Sequence, residues 1–330
     1  MKEILNLLIS HKALSKEQAR EVLLNMANGS YNESEMAAFL AIYMMRPVTV
    51  AEMEGFRDAL LELCVSLDLS EFNPIDLCGT GGDGKDTFNI STLATFVVAG
   101  AGIKVAKHGN YGVSSVSGSS NMMEHFGVKF TNDPDKLKKQ IDASGVCFLH
   151  APLFHPALKN VGPVRKALGL KTFFNMLGPM VNPANVKYQV VGVFNLELAR
   201  IYSYLYQQTD IRYTILHALD GYDEISLTGT AKMIGRRTER LVVPENFGVK
   251  TISPETIKGG ADVPGMAAIF KTILDGNGST EQNNVVCANA AMAINCVYPE
   301  LGLDSAFQLA LDSLKSGKAL KSFNTLLQLQ

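Results

Sequence analysis

The stretch Ile75-Asp-Leu-Cys-Gly-Thr-Gly-Gly-Asp-Gly-Lys-Asp-Thr-Phe-Asn-Ile-Ser-Thr92 carries the residue types of an anion site. It reads as a short apolar strand, a glycine-dense turn and the opening of a helix. Gly79, Gly81, Gly82 and Gly84 remove side chains that would hold an anion away from the backbone. They also permit the left-handed conformations that turn several N–H groups to one side. The positive end of the following helix favours negative charge at the same place. The stretch is therefore a phosphate cradle.

Two known cradles nearly fit. Gly79-Thr-Gly-Gly-Asp-Gly84 satisfies the G-x-G-x-x-G pattern of dinucleotide-binding folds. That pattern also requires an acidic residue at the end of the next strand, to hold ribose hydroxyls. The next strand here, Ile103-Lys-Val-Ala-Lys107, carries lysines instead. The P-loop pattern fails by one residue, because Asp86 stands where Ser or Thr would bind magnesium.

Three further segments belong with the glycine loop. Lys107-His-Gly-Asn-Tyr-Gly-Val-Ser-Ser115 leaves a strand and places a cation, an amide and hydroxyls in one loop. Ser117-Gly-Ser-Ser-Asn121 opens a helix and offers hydroxyls and N–H groups to a second phosphate. Leu219-Asp-Gly-Tyr-Asp-Glu-Ile225 leaves a strand and sets two adjacent carboxylates in a turn. Bare carboxylates beside phosphates repel, by about 4 kcal/mol per unit-charge pair at 4 Å and an effective dielectric constant of 20. A divalent cation between them reverses the sign, and oxygen-only ligands suit magnesium. Each segment alone is a common structural feature. Together they describe a metal–diphosphate site.

The elements that must position these residues follow from periodicity. The first 70 residues read as helices, with capping boxes at Ser15-Lys-Glu-Gln18, Asn32-Glu-Ser-Glu35 and Thr49-Val-Ala-Glu52. Apolar residues then recur at helical spacing: Ala19, Val22, Leu23 and Met26, then Met36, Phe39, Leu40 and Tyr43. After Glu71, apolar runs at Ile103–Ala106, Val146–Leu149, Val190–Phe194 and Thr214–Leu219 alternate with helical segments. That alternation predicts an α/β fold with a mostly parallel central sheet and crossover helices, preceded by a small all-helical domain. The expected division is a helical domain at 1–70, joined by a returning helical segment near 160–185, and an α/β domain at 71–330. Val285–Cys296, rich in Ala and Asn, reads as a packed helix without chemistry.

Composition narrows the function class. With 330 residues, 47% of them hydrophobic, the chain can bury a large core. A net charge of −2 gives no general attraction to nucleic acid or to an anionic membrane. The five cysteines show neither C-x-x-C nor zinc spacing, which suits thiols in a reducing cytoplasm. The longest apolar stretch, Leu93 to Ile103, is too short to span a bilayer, and Met1–Ile9 does not read as a signal peptide. The expectation is a cytoplasmic protein with no nucleic-acid or membrane partner.

The assembled motifs resemble one family. Gly79-Thr-Gly-Gly-Asp83, Asn89-Ile-Ser-Thr92, Lys107-His-Gly-Asn110, Ser117-Gly-Ser119, His155-Pro-Ala, Gly162-Pro-Val-Arg165, Phe174-Asn-Met-Leu-Gly-Pro179 and Asp220-Gly-Tyr-Asp-Glu224 match the anthranilate phosphoribosyltransferases. These enzymes belong to the nucleoside-phosphorylase-like glycosyltransferases. The resemblance spans the chain from its N-terminal helices to its C-terminal helix. It implies transfer of a phosphoribosyl group from 5-phosphoribosyl 1-pyrophosphate to the amine of anthranilate, in tryptophan biosynthesis. It also implies a site in a cleft between a helical and an α/β domain, and a homodimer formed through the helical domain.

Carried over residue by residue, the resemblance assigns the donor to Gly79, Gly82, Asp83, Thr87, Asn89, Ile90, Ser91 and Thr92. The loop Lys107, His108, Gly109, Asn110, Tyr111, Gly112, Val113, Ser114 and Ser115, together with Ser119, completes that set. Gly79, Asn110 and Arg165 would meet anthranilate, and Ser91, Asp223 and Glu224 would bind Mg2+. A guanidinium at Arg165 suits a planar carboxylate, which it can grip with two parallel hydrogen bonds. Two positions depart from the usual family pattern. Tyr111 stands where Arg commonly follows Lys-His-Gly-Asn, and Asn121 stands where Asp often follows the serines.

No strong general base is expected, because an aromatic amine is neutral and nucleophilic at pH 7. His108 is expected to shape the loop, and Lys107 to act electrostatically. Two alternatives are a pyrimidine nucleoside phosphorylase-like enzyme, against which the Asp223-Glu224 turn argues, and a non-catalytic nucleic-acid-binding paralogue, against which the charge argues.

Overall fold

The structure, a computed structural model, describes residues 1–112 and 117–330. Helices α1 (Lys2–Ile9), α2 (Lys16–Ala27), α3 (Glu33–Met45) and α4 (Val50–Glu62) open the chain. β1 (Ile75–Gly79), α5 (Ile90–Gly100), β2 (Val105–Gly109), α6 (Ser119–His125), α7 (Pro134–Ser144) and β3 (Val146–His150) follow. Three short helices come next: α8 (Ala151–Phe154), α9 (Gly162–Leu168) and α10 (Phe174–Leu177). β4 (Tyr188–Gly192), α11 (Leu196–Gln207), β5 (Arg212–Ala218), β6 (Ala231–Gly235) and β7 (Glu239–Val242) resume the sheet. α12 (Val263–Leu274), α13 (Thr280–Val297), α14 (Leu303–Lys315) and α15 (Lys318–Gln328) close the chain.

Two compact units result. One comprises Met1–Leu67 and Ala151–Pro183, the other Asp68–His150 and Ala184–Gln330. In the helical unit the three capping boxes form as the sequence predicts. Ser15, Asn32 and Thr49 each accept from the third helical N–H and are answered by Gln18, Glu35 and Glu52. Such a cap contributes about 1 kcal/mol. The apolar positions of α3 and α4 meet in an aromatic cluster. Phe56 stacks on Phe173 with ring centroids 4.3 Å apart, and Phe39 and Tyr43 meet both rings edge-on. Phe173 therefore anchors the returning segment, which starts at Ala151, earlier than the expected residue 160.

The other unit is built on a seven-stranded sheet in the order β3-β2-β1-β4-β5-β6-β7. β1 to β5 are parallel, while β6 and β7 pair antiparallel at one edge. α5 and α13 pack on each other and on β1, and α13 also covers β4 and β5. Ile90 and residues 92–98 of α5 and residues 285–294 of α13 are buried, which accounts for their apolar and small side chains. The β6–β7 pair was not legible in the sequence. Its strands span five and four residues, and Lys232, Glu239 and Arg240 break up the apolar signal.

The strand order creates a switch point. From β1 the chain steps outward through β2 to β3, then returns to place β4 on the opposite side of β1. Crossover connections leaving in opposite directions open a crevice at the carboxyl ends of β1 and β4, where ligands of such sheets bind. Gly79 and Gly192, the last residues of those strands, lie in register there. No helix among the described residues is long and apolar enough to cross a membrane.

Candidate active site

The glycine loop begins at the switch point. Gly81, Gly82 and Gly84 adopt left-handed backbone, with φ of 62°, 82° and 71°. A β-carbon on Gly81 or Gly84 would meet nothing, so conformation rather than crowding demands glycine at these two places. Gly79 is the reverse case, since a β-carbon there would lie 2.5 Å from a carboxylate oxygen of Asp223.

The acidic turn after β5 folds directly over this loop. Asp223 Oδ2 accepts from the Gly81 N–H at 2.7 Å, and Glu224 Oε1 accepts from the Thr87 hydroxyl at 2.8 Å. Asp83 Oδ2 accepts from the Asp223 N–H at 3.4 Å, which brings a third carboxylate alongside. Burial, and then the Asp83 carboxylate, raise the pKa of Asp223. Burial, and then Asp223, push Glu224 well above the ordinary carboxylate range. Three carboxylates thus gather at one turn, an arrangement that added positive charge would relieve.

Lys107 supplies one such charge from below. It is 2% exposed, and its ammonium donates to the Leu77 carbonyl and, at 3.4 Å, to the Ser91 hydroxyl. Burial lowers its pKa, while Asp76, Cys78, Glu224 and Asp223 pull it back up. The side chain thus lies beneath the loop rather than in solvent.

The second loop is held from several sides. The backbone N–H of His108, in β2, donates to Asp76 Oδ1 at 3.2 Å. The Asn110 carbonyl accepts from the Ser120 N–H at the start of α6. Gly109 and Gly118 are required by close approach. A β-carbon on the first would meet Ser119 Oγ at 2.3 Å, and one on the second the Gly112 nitrogen at 2.3 Å. Asn121 Oδ1 accepts from both the Gly112 and Gly118 N–H groups, at 2.9 and 3.0 Å. Tyr111 is 38% exposed; its hydroxyl donates to Glu124 and its ring meets His150 edge-on. Asn89 Nδ2 donates to the Ser117 carbonyl at 3.0 Å, which joins the two loops, while its buried Oδ1 has no partner among the described residues. Ile90 and Thr92 are buried in the first turn of α5. Val113, Ser114 and Ser115, assigned to the donor by resemblance, lie outside the described residues.

Arg165 belongs to the helical unit, on α9. Its guanidinium lies 5.1 Å from the centre of the Phe174 ring and donates to Asn175 Oδ1 at 3.4 Å. Asn175 is itself fixed by the Thr172 N–H. His155 is a structural residue, with Nε2 3.0 Å from the Val181 carbonyl.

Three residues escaped the sequence reading. Asp76, fully buried in β1, also accepts from Gln189 Nε2 on β4, and Gln189 in turn accepts from the Tyr206 hydroxyl. A carboxylate inside an apolar strand was the available signal. Gly192 was passed over because nothing local marks a glycine that a residue far along the chain packs against. Asn289 lies in the tail helix expected to have no chemistry, yet it bonds both backbone groups of Ile225, the residue after Glu224.

Comparison with known proteins agrees with this geometry. Residues 2–64 match the glycosyl transferase family, helical bundle domain, and residues 72–320 match its a/b domain. Anthranilate phosphoribosyltransferases of Flavobacterium psychrophilum and Flavobacterium johnsoniae are 64% and 62% identical over 329 residues, covering 100% of this chain and 99% of each relative. The crystal structure of anthranilate phosphoribosyltransferase from Thermus thermophilus superposes with a TM-score of 0.90 at 31% identity, covering 98% of both chains. The enzyme from Saccharomyces cerevisiae in complex with PRPP and Mg also gives 0.90, at 25% identity, covering 98% of this chain and 96% of that one. The chain belongs to the glycosyl transferase family of these two domains and, within it, to the anthranilate phosphoribosyltransferases.

Proposed function

We propose that this protein transfers the phosphoribosyl group of 5-phosphoribosyl 1-pyrophosphate to the amine of anthranilate, as Mg2+-dependent chemistry. The observation that carries the reading is the Asp223-Glu224 pair folded onto a phosphate cradle at the switch point of the sheet. Relatives above 60% identity over the full length support the choice of substrates. They leave the nucleoside phosphorylase and nucleic-acid readings without support.

The residues fit Mg2+. Among the described residues, no group of three or more His, Cys, Asp or Glu side chains could hold a metal alone. Magnesium characteristically takes one or two carboxylates and completes its shell with water and substrate phosphate. Asp223, Glu224 and the Ser91 hydroxyl would hold it in this reading. Bound with the donor, it would offset negative charge collecting on the departing pyrophosphate.

The chain's own groups do the remaining work. N–H groups of the glycine loop and of the α5 and α6 N-termini face the phosphates, with Gly82, Asp83, Thr87, Asn89, Thr92 and Ser119 around the donor. Lys107, already buried in β2, would offset charge on the leaving group in this reading without reorganising as the bond breaks. Anthranilate's amine attacks without a base, so the acceptor side has only to orient it. In this reading the carboxylate falls to Arg165, which Phe174 and Asn175 brace, and the family resemblance adds Gly79 and Asn110 to the acceptor residues.

Residence in the cytoplasm suits five cysteines with no disulfide. Assembly as a homodimer through the helical unit suits the apolar surface at Ile9 and Met45, which are 64% and 88% exposed. Light scattering should then give about twice the 35.8 kDa chain mass. The deciding assay follows the loss of anthranilate fluorescence with the donor, in Mg2+ and in excess chelator. Full turnover in chelator would remove the metal, and no consumption of anthranilate under any condition would remove the activity.

A further inference from the structure

The acidic turn needs a rigid back. Asp223 and Glu224 follow β5 in an irregular stretch outside the regular ladder of the sheet. The two carboxylates repel each other and yet must stay within reach of one ion. Something has to hold Glu224 in place on the side away from the glycine loop. Among the described residues, one polar side chain is placed for that task.

Asn289 lies midway along α13 and is 7% exposed. Its Oδ1 accepts from the Ile225 N–H at 3.0 Å, and its Nδ2 donates to the Ile225 carbonyl at 2.8 Å. A second Nδ2 bond goes to the Val285 carbonyl one helical turn back, at 2.9 Å, and fixes the amide's orientation. One carboxamide thus satisfies both backbone groups of the residue directly after Glu224, as a neighbouring strand would. The surrounding residues of α13, from Val285 to Ile294, are all buried, so the helix that presents the amide is packed into the core. A polar residue in the middle of an otherwise apolar helix face is costly unless its bonds are put to use.

We propose that Asn289 is a positioning residue for the metal-binding turn, clamping Ile225 so that the Glu224 carboxylate stays aimed at the cation. This rests on the Mg2+ reading above. Residues that orient metal ligands by hydrogen bonds are typically worth about 10–100-fold in metal affinity. Asn289 touches neither substrate nor metal, so its loss should be read through magnesium and not through the acceptor.

The test is a magnesium titration of wild type, Asn289→Leu and Asn289→Asp, read both as steady-state turnover and, with the donor present and anthranilate absent, as melting temperature. Asn289→Leu removes both bonds at similar volume. Asn289→Asp keeps the acceptor for the Ile225 N–H and loses the donor, and it serves alone if Asn289→Leu does not accumulate as folded protein. The expected result is a rise of about tenfold or more in the Mg2+ concentration giving half-maximal rate, with the anthranilate KM within about twofold of wild type. A lowered melting temperature with an unchanged Mg2+ requirement would overturn the inference, since that is what a purely structural amide does. If wild type itself works in chelator, the metal reading fails and takes this inference with it. If wild type needs Mg2+ and both variants titrate like it, only the inference fails.

Discussion

A β-carbon on Gly192 would lie 1.4 Å from the carbonyl oxygen of Asp223. The end of β4 and the acidic turn are therefore packed backbone to backbone, and no side chain fits between them. Gly192→Ala must displace the turn, because the obstructing atom is main chain. Overpacking of this kind costs about 1–3 kcal/mol of stability, and a shift of about 1 Å in a reacting constellation costs about 100-fold in rate. Thermal melting and kcat of Gly192→Ala check both; wild-type kcat would show that the turn has room to move.

Asp223→Asn with Glu224→Gln should abolish most turnover at limiting Mg2+ while the fold persists. The same variant exposes a pH effect whose sign follows from the shifted carboxyl groups. Burial and neighbouring carboxylates push Asp223 up to about 7 and raise Glu224 as well. Unfolded, both groups lose their protons near pH 4. The folded, metal-free chain then binds more protons than the unfolded one, so this contribution is complete below about pH 4 and is lost as pH rises toward 7. In chelator, the melting temperature of the double variant should gain on wild type between pH 4.5 and 8. A constant difference across that range would contradict the assignment.

Arg165→Ala should raise the anthranilate KM, by the loss of a charge-assisted hydrogen bond worth about 1.5–3 kcal/mol. Arg165→Lys should restore only part of this, since an ammonium cannot grip a carboxylate with two parallel bonds. The donor KM should change far less in either variant. Titration of each substrate decides the matter, and a donor defect with anthranilate spared would reverse the proposed roles.

Asn121 is used only as an acceptor by the two loop N–H groups it bonds. Asn121→Asp should therefore keep the melting temperature and the donor KM near wild type. Asn121→Leu strands two backbone donors, at about 1–3 kcal/mol each if they stay dry. Equal damage from both variants would mean that the amide nitrogen matters.

The legible parts of this protein were those written locally. Capping boxes are four-residue signals, and Ser15, Asn32 and Thr49 all form them. The parallel sheet was visible because short apolar runs alternate with helical segments along the chain. The glycine loop, Lys107 and the acidic pair could be named because each has the residue types that its chemistry requires. Contacts between distant parts of the chain were not legible. Nothing near Gly192 announces Asp223, and nothing in α13 announces that Asn289 will meet Ile225, because such pairings exist only once the sheet and its helices have packed. In the sequence, Asn121 is a departure from the Asp often found after the serines. In the structure it is a preserved acceptor.

The burial of Lys107 has a practical consequence for chemical biology. With the whole residue only 2% exposed, Lys107 is closed to reagents that arrive through solvent. Acylating or aldehyde compounds aimed at a lysine in this site should label the exposed Lys258, at the isolated bridge to Thr87, before they reach Lys107. A covalent inhibitor of the site would need a different handle.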